Sequence, residues 1–168
     1  MRYITTQQYL QIKDIPRGRL TARALIYTGG ILVKDNKILM CRTFKTKYPG
    51  WQLPGGKVLW SEEIEECLKR EIIEETGYEV IPDGILGIYQ RDTGPEDEEF
   101  IRVIYHIKSF KRKRGVELDP QIETSKWFDI DEVLEDDFQI QSKQIQREIR
   151  EYKEGKKYPL DVLQMYKW

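Results

Sequence analysis

Histidine occurs once and cysteine twice in this chain of 168 residues. That scarcity excludes a zinc site of the His/Cys kind and a disulfide framework. Cys41 and Cys67 read instead as reduced, buried, small apolar residues. An excess of one charge is also missing. Twenty-eight Lys and Arg against 29 Asp and Glu leave a net charge of −1, which argues against broad electrostatic binding to nucleic acid or an anionic membrane. The basic run KSFKRKRG at 108–115 reads as a solvated strand end and turn, with a polyanion-contacting patch as the alternative. No long apolar run is present. ALIYTGGILV is too short and too interrupted to span a bilayer, and MRYITTQQYLQIK lacks the apolar core of a signal peptide. A soluble, cytoplasmic protein without a membrane partner is expected.

What is present is a hydrophobic content of 39%, enough for a real core. No repeat, low-complexity segment or linker divides the chain. A single domain over 1–168 is expected, with an N-terminal extension (1–18) and a C-terminal helix and tail (142–168). Residues 5–14 suit a short helix. RLTARALIYT and GILVKDNKILMCRT are strand-rich, and KDN within the second predicts a hairpin turn. WQLPGGKV reads as a short strand entering a Gly-Gly turn. Ser61 is placed to cap a helix, with Glu62 and Glu63 in its first turn, and Gly77 to end it. VIPDGILGIYQRD and FIRVIYHIKSF read as strands, the latter with Ile101, Val103, Tyr105 and Ile107 on one face. KWFDIDEVL predicts a strand leading into a helical turn, and SKQIQREIREYKEG a helix ended by Gly155. The mixture implies an α/β or α+β sandwich.

The helix over 61–76 is unusual for its acids. With Glu71 at zero on a helical wheel, Glu74 falls about 60° to one side and Glu75 about 40° to the other. Ile64 and Cys67 share that side, and Leu68 and Ile72 flank it. The three acids therefore lie on or beside the stripe that should face the core. Clustered carboxylates there need a counter-charge, and Arg70 is the one basic residue of the stretch Arg70–Gly77. A hard divalent cation with oxygen ligands, Mg²⁺ above all, serves best. LPGGKV directly before the helix adds Gly55 and Gly56, which allow close backbone approach to a ligand or metal.

This arrangement resembles the Nudix box, the signature of the Nudix (MutT-like) hydrolases, G-x5-E-x7-R-E-U-x-E-E-x-G-U with U a bulky apolar residue. Gly56, Glu62, Arg70, Glu71, Ile72, Glu74, Glu75, Gly77 and Tyr78 fill it at the right spacing. Tyr78 is more polar than the pattern's last position. Outside the box the likeness is looser: strands before it, two after it, then KWFDIDEV. The resemblance implies an α/β/α sandwich with a mixed β-sheet and a loop-helix-loop box. It also implies hydrolysis of a nucleoside diphosphate linked to a moiety X, giving a mononucleotide and phosphorylated X. It further implies Mg²⁺ or Mn²⁺ held by Glu71, Glu74, Glu75 and the Gly55 carbonyl, with Arg70 orienting the glutamates and Glu62 holding the loop–helix geometry. A catalytically silent nucleotide sensor is the alternative, which the intact box disfavours.

Many members of that family add an acid on a later loop as metal ligand or general base. Glu123 is the candidate here, with Glu96, Glu98 and Glu99 behind it. His106 is expected to be an ordinary surface or half-buried histidine. Gly56, Arg23, Arg42 and Arg91 are candidate substrate contacts, the arginines to phosphate or sugar, with surface or structural roles as their alternative. Tyr48, Trp51, Trp60 and Tyr89 are candidates for base stacking, with packing as the alternative. Pro95 resembles a proline that some ADP-ribose-cleaving members carry after the box, while Asp136 and Asp137 would suit a purine edge in an NTP pyrophosphohydrolase, with a solvated helix end as the alternative. The partner is a small nucleotide, and the apolar residues of the tail are compatible with a homodimer or with docking on the chain's own domain.

Overall fold

The computed structural model describes residues 25–44, 47–90 and 100–166 in full and Arg91 by its backbone. The expected 5–14 helix, Arg23, the side chain of Arg91, and Pro95, Glu96, Glu98 and Glu99 lie outside the described residues. The elements run β1 (Leu25–Ile31), β2 (Val33–Lys34), β3 (Lys37–Thr43), α1 (Ile64–Thr76), β4 (Tyr78–Arg91), β5 (Phe100–Arg112), β6 (Ile122–Asp129), α2 (Ile130–Val133) and α3 (Lys143–Lys153). A 3₁₀ turn over Leu160–Val162 closes the series.

The strands form two three-stranded sheets, ordered β1-β5-β4 and β2-β3-β6. In the first, β1 is parallel to β5 and β4 antiparallel to it; the second is antiparallel throughout. The expected mixed sheet is thus one of a pair. Asp35 and Asn36 turn the β2–β3 hairpin with φ of 50° and 60°, the double left-handed geometry that two-residue hairpins favour. Gly77 ends α1 at φ 72° and donates its N–H to the Ile73 carbonyl.

Two apolar clusters lie on opposite sides of the strands. Ile38, Met40, Leu53, Leu86 and Ile104 pack with Ile145 and Ile149 of α3. Leu32, Leu39, Ile85, Val103 and Tyr105 pack with Leu68 and Ile72 of α1. This gives the α/β/α layering expected for a mixed strand–helix pattern.

β5 is therefore buried on both faces from Val103 to His106, where its alternation predicts one. α3 supplies the second cover. His106 lies under it, with Nε2 2.7 Å from the Lys156 carbonyl and its ring beside Tyr152. Burial lowers its pKa, and it packs as a structural histidine. After α3, the segment Tyr158–Leu163 packs on the chain's own domain, while Met165 and Tyr166 stay exposed. Tyr158 exchanges both backbone bonds with Ile85, and Leu160 and Leu163 join the α1-side cluster. Among the described residues, no helix is long and apolar enough to cross a membrane.

Candidate active site

The loop before α1 is pinned to β1. Thr28 N–H donates to the Gly56 carbonyl, Gly30 N–H to the Pro54 carbonyl, and Val58 N–H to the Ile26 carbonyl, at 2.9–3.0 Å. Residues 51–58 form isolated bridges, Lys57 to β1, Gln52 to β3 and Trp51 to Ile140, rather than the expected short strand. The close approach requires glycine at Gly55, whereas at Gly56 a side chain would displace Glu71. Gly55 has φ +147°, and a Cβ there would lie 2.2 Å from the Thr28 carbonyl oxygen. A Cβ on Gly56 would meet the Glu71 carboxylate at 2.3 Å. Gly55→Ala should cost roughly 1–3 kcal/mol, since the atoms it meets are backbone and cannot swing aside. A shift in urea midpoint at constant m-value would register it, and an unchanged midpoint would refute this account of the loop.

The same pinning displaces the helix start. Ser61 sits in a turn at φ 62° and cannot cap. Glu63 occupies the N-cap position but its side chain does not cap the helix, and α1 begins at Ile64. Glu62, expected in the first turn, instead belongs to the loop, where it accepts the Leu59 N–H at 2.8 Å.

Arg70 joins loop to helix. Its Nε and Nη2 donate to both oxygens of Glu62 at 2.7 and 3.0 Å, and its Nη1 donates to Glu71 at 2.6 Å and Glu74 at 3.3 Å. These bonds hold Glu62 down at about 2 and raise the Arg70 pKa despite its partial burial. Glu75 points the other way. Only 6% exposed, it accepts the Gly55 N–H at 2.8 Å. Burial pushes its carboxyl up to about 8, against the Gly55 bond, and the charges of Glu71 and Asp119 add to the rise. Burial also raises Glu71.

Three carboxylates thus surround one guanidinium, with Glu75 behind them on the loop side, and the donor set is all hard oxygen. Its chemistry fits Mg²⁺ or Mn²⁺. Among the described residues no three His, Cys, Asp or Glu side chains are already converged as a metal cage. Arg70 occupies the space between Glu71 and Glu74, and Glu75 is turned to the loop backbone. Occupancy by a cation would require these carboxylates to exchange partners.

The other expected residues disperse. Both oxygens of Glu123, on β6, are taken by Arg42 of β3 at 2.7 and 2.8 Å. The pair lines a cleft of about 470 Å³ with Phe44, Pro49, Gly50 and Gln139. Arg42 also covers the ring of Trp51, itself buried against Phe128. Tyr89 is half-buried and bonded to Glu151. Tyr48 and Trp60 are exposed, and Asp136 is an exposed partner of Lys143. Cys41 and Cys67 are free and buried.

Three residues near the site were not singled out from sequence. Asp119, in the β5–β6 loop, donates its backbone N–H to the Glu74 carbonyl at 2.8 Å, and its charge reaches Glu75. Arg102 of β5 and Glu148 of α3 form an ion pair at 3.4 Å with Glu148 fully buried.

Comparison with known proteins agrees with this geometry. A family model described as the NUDIX domain matches residues 25–149. The chain is 35% identical over 85 residues to an ADP-ribose pyrophosphatase of Methanocaldococcus jannaschii, a match spanning 50% of each chain. It is 26% identical over 118 residues to the phosphatase NudJ of Escherichia coli K12, covering 70% of this chain and 76% of that one. Among solved structures, a NUDIX hydrolase from Nitrosomonas europaea aligns with a TM-score of 0.78 at 26% identity, over 86% of this chain and 98% of that one.

Proposed function

The chain belongs to the Nudix family, and on that premise we propose that it hydrolyses a nucleoside diphosphate linked to a second moiety X. Water attacks one phosphorus, the P–O–P bond breaks, and a mononucleotide and phosphorylated X leave. The observation that carries this reading is the acid-rich α1 lying against the Gly55–Gly56 loop, with Glu75 buried at their contact.

Glu71, Glu74, Glu75 and the Gly55 carbonyl are the groups that would hold Mg²⁺ or Mn²⁺. A divalent ion there supplies charge to offset the diphosphate and acidifies a water. Arg70 fixes the carboxylates of Glu71 and Glu74, and Glu62 locks Arg70 to the loop. Gly56 leaves room beside Glu71 for substrate to approach the backbone. Arg42 and Arg91 are the proposed cationic contacts to phosphate or sugar.

Two acids compete as acceptor of the water's proton. Glu123 is the candidate from the family likeness, but its oxygens are committed to Arg42. Asp119 lies within electrostatic reach of Glu75. Glu123→Gln and Asp119→Asn separate them: the true acceptor loses roughly 10²–10⁴-fold in kcat, the other less than about tenfold. Equal, small losses in both would leave neither in the role.

The test of the proposal is a hydrolysis screen with Mg²⁺ or Mn²⁺. It covers ADP-ribose, dinucleoside polyphosphates, nucleotide sugars, NADH, and canonical and oxidised NTPs. ADP-ribose goes first because the M. jannaschii relative is named for cleaving it. Turnover of one class, lost in Glu74→Gln and Glu75→Gln, supports the hydrolase. Binding without turnover across the panel would replace it with a nucleotide sensor.

A further inference from the structure

Glu148 is the least explained charge among the described residues. Its side chain is fully buried, and neither carboxylate oxygen makes a hydrogen bond of proper geometry. Gln144, one turn earlier on α3, lies beside it but leaves its own buried Nε2 unbonded. The compensation is Arg102, whose Nη1 is 3.4 Å away and whose side chain is 16% exposed. A buried ion pair at that distance, with the carboxylate's other acceptor sites unfilled, is a poor stabiliser. Apolar residues of similar volume would serve the core as well or better. The pair therefore calls for a reason other than stability.

Its position supplies one. Arg102 stands in register between Tyr27 of β1 and Tyr89 of β4. Its head leans along the sheet over Gly29. A Cβ on Gly29 would lie 3.3 Å from Arg102 Nη2 and 3.5 Å from the Pro54 carbonyl oxygen. Ile104 Cδ1 shares that space at 3.1 Å, so the guanidinium lies near the backbone that leads into Gly55 without touching it. A guanidinium carries five donors in a rigid fork suited to phosphate, and Glu148 engages it from the α3 side, away from the loop.

We infer that Arg102 is a substrate contact, donating to a non-bridging phosphate oxygen of a nucleoside diphosphate seated against the Gly55–Gly56 loop, and that Glu148 is the positioning residue that aims it. The inference deepens the proposed function of the same site and rests on it for the seat of the diphosphate.

The test is equilibrium binding of a non-hydrolysable probe, α,β-methylene-ADP with Mg²⁺, followed by calorimetry. Arg102→Ala should weaken the probe by roughly 10- to 100-fold, the range for a lost charge-assisted bond. The affinity for Mn²⁺ alone should change less than about twofold. Arg102→Lys should recover part of the loss. Glu148→Gln should weaken the probe by a smaller factor, and Arg102→Ala/Glu148→Gln no more than Arg102→Ala alone. The decisive variant is Arg102→Met/Glu148→Leu. It should melt at or above the wild-type temperature and still bind the probe as poorly as Arg102→Ala. If it bound like wild type, the pair would be structural and the inference overturned. Failure of wild type to bind the probe would overturn it equally. Turnover of the substrate panel is scored separately. A working hydrolase whose Arg102 variants bind normally sinks only this contact. Arg102-dependent binding without turnover sinks only the hydrolase.

Discussion

Glu75→Gln should remove turnover by at least about 10²–10³-fold and, in the metal-free protein, raise stability at alkaline pH. The loss follows from position. Removing one charge-stabilising group from a preorganised site typically costs that much, and Glu75 is the buried member of the acidic set. The gain follows from linkage. The folded protein holds the Glu75 proton up to about 8, whereas an unfolded glutamate releases it near about 4.3. The folded state therefore binds more protons between those values. The stability that Glu75 contributes is fully present below about pH 4.3 and is lost as pH rises towards 8. At about 1.4 kcal/mol per unit, the loss amounts to a few kcal/mol. Glutamine can still accept the Gly55 N–H and never ionises. In EDTA, wild type and variant should have similar urea midpoints near about pH 4.5, and the variant should be ahead at about pH 8.5. Mg²⁺ should reverse the order by stabilising wild type alone. A wild-type/variant gap that does not change with pH would show that Glu75 is not the buried proton-holding acid described here.

Much of this site is legible in the sequence because its determinants are local. The acids of α1 follow from helical periodicity, Gly77 from its place after the last apolar residue, and the β2–β3 hairpin from Asp35–Asn36. What is not legible depends on partners distant in the chain. Ser61 looks like a cap because a serine before acids usually is one. The bonds of Pro54, Gly56 and Val58 to β1 set a loop geometry that puts Ser61 at φ 62° instead. Glu123 looks like a free loop acid until β3–β6 pairing brings Arg42 against it. Glu148 reads as one charge among many on SKQIQREIREYKEG, and only the packing of α3 on β5 buries it. Glycine supplies the one available hint for that pair. Gly29 sits in a strand where a β-branched residue would be expected, and such a gap often marks close approach of another group.

Arg70→Ala should be the most destabilising substitution in the loop–helix unit, and the loss should be partly recoverable with metal. Arg70 makes a bidentate bond to Glu62 and single bonds to Glu71 and Glu74, and its Nη2 reaches the Lys57 carbonyl at 3.3 Å. Alanine would leave Glu62 and Glu71, both only 16% exposed, without their cation. Breaking a buried pair costs about 3–5 kcal/mol. The 27% exposure of Arg70 admits some water, so a loss of about 2–4 kcal/mol is expected at about pH 7 in EDTA. The gap should close in acid. Glu62 is held at about 2 when folded, below its unfolded value, so its contribution is present above about pH 4.3 and fades as pH falls towards about 2. Mg²⁺ should restore more stability to Arg70→Ala than it adds to wild type, because no guanidinium then competes for Glu71 and Glu74. Activity should stay about 10–100-fold low even at saturating metal, since the carboxylates have lost what orients them. Arg70→Lys should fall between the two. One ammonium carries the charge but cannot bond both oxygens of Glu62 while reaching Glu71. Urea melts with EDTA and with Mg²⁺ decide the matter. An Arg70→Ala midpoint equal to wild type in EDTA would mean that Glu62, Glu71 and Glu74 are balanced by something other than Arg70.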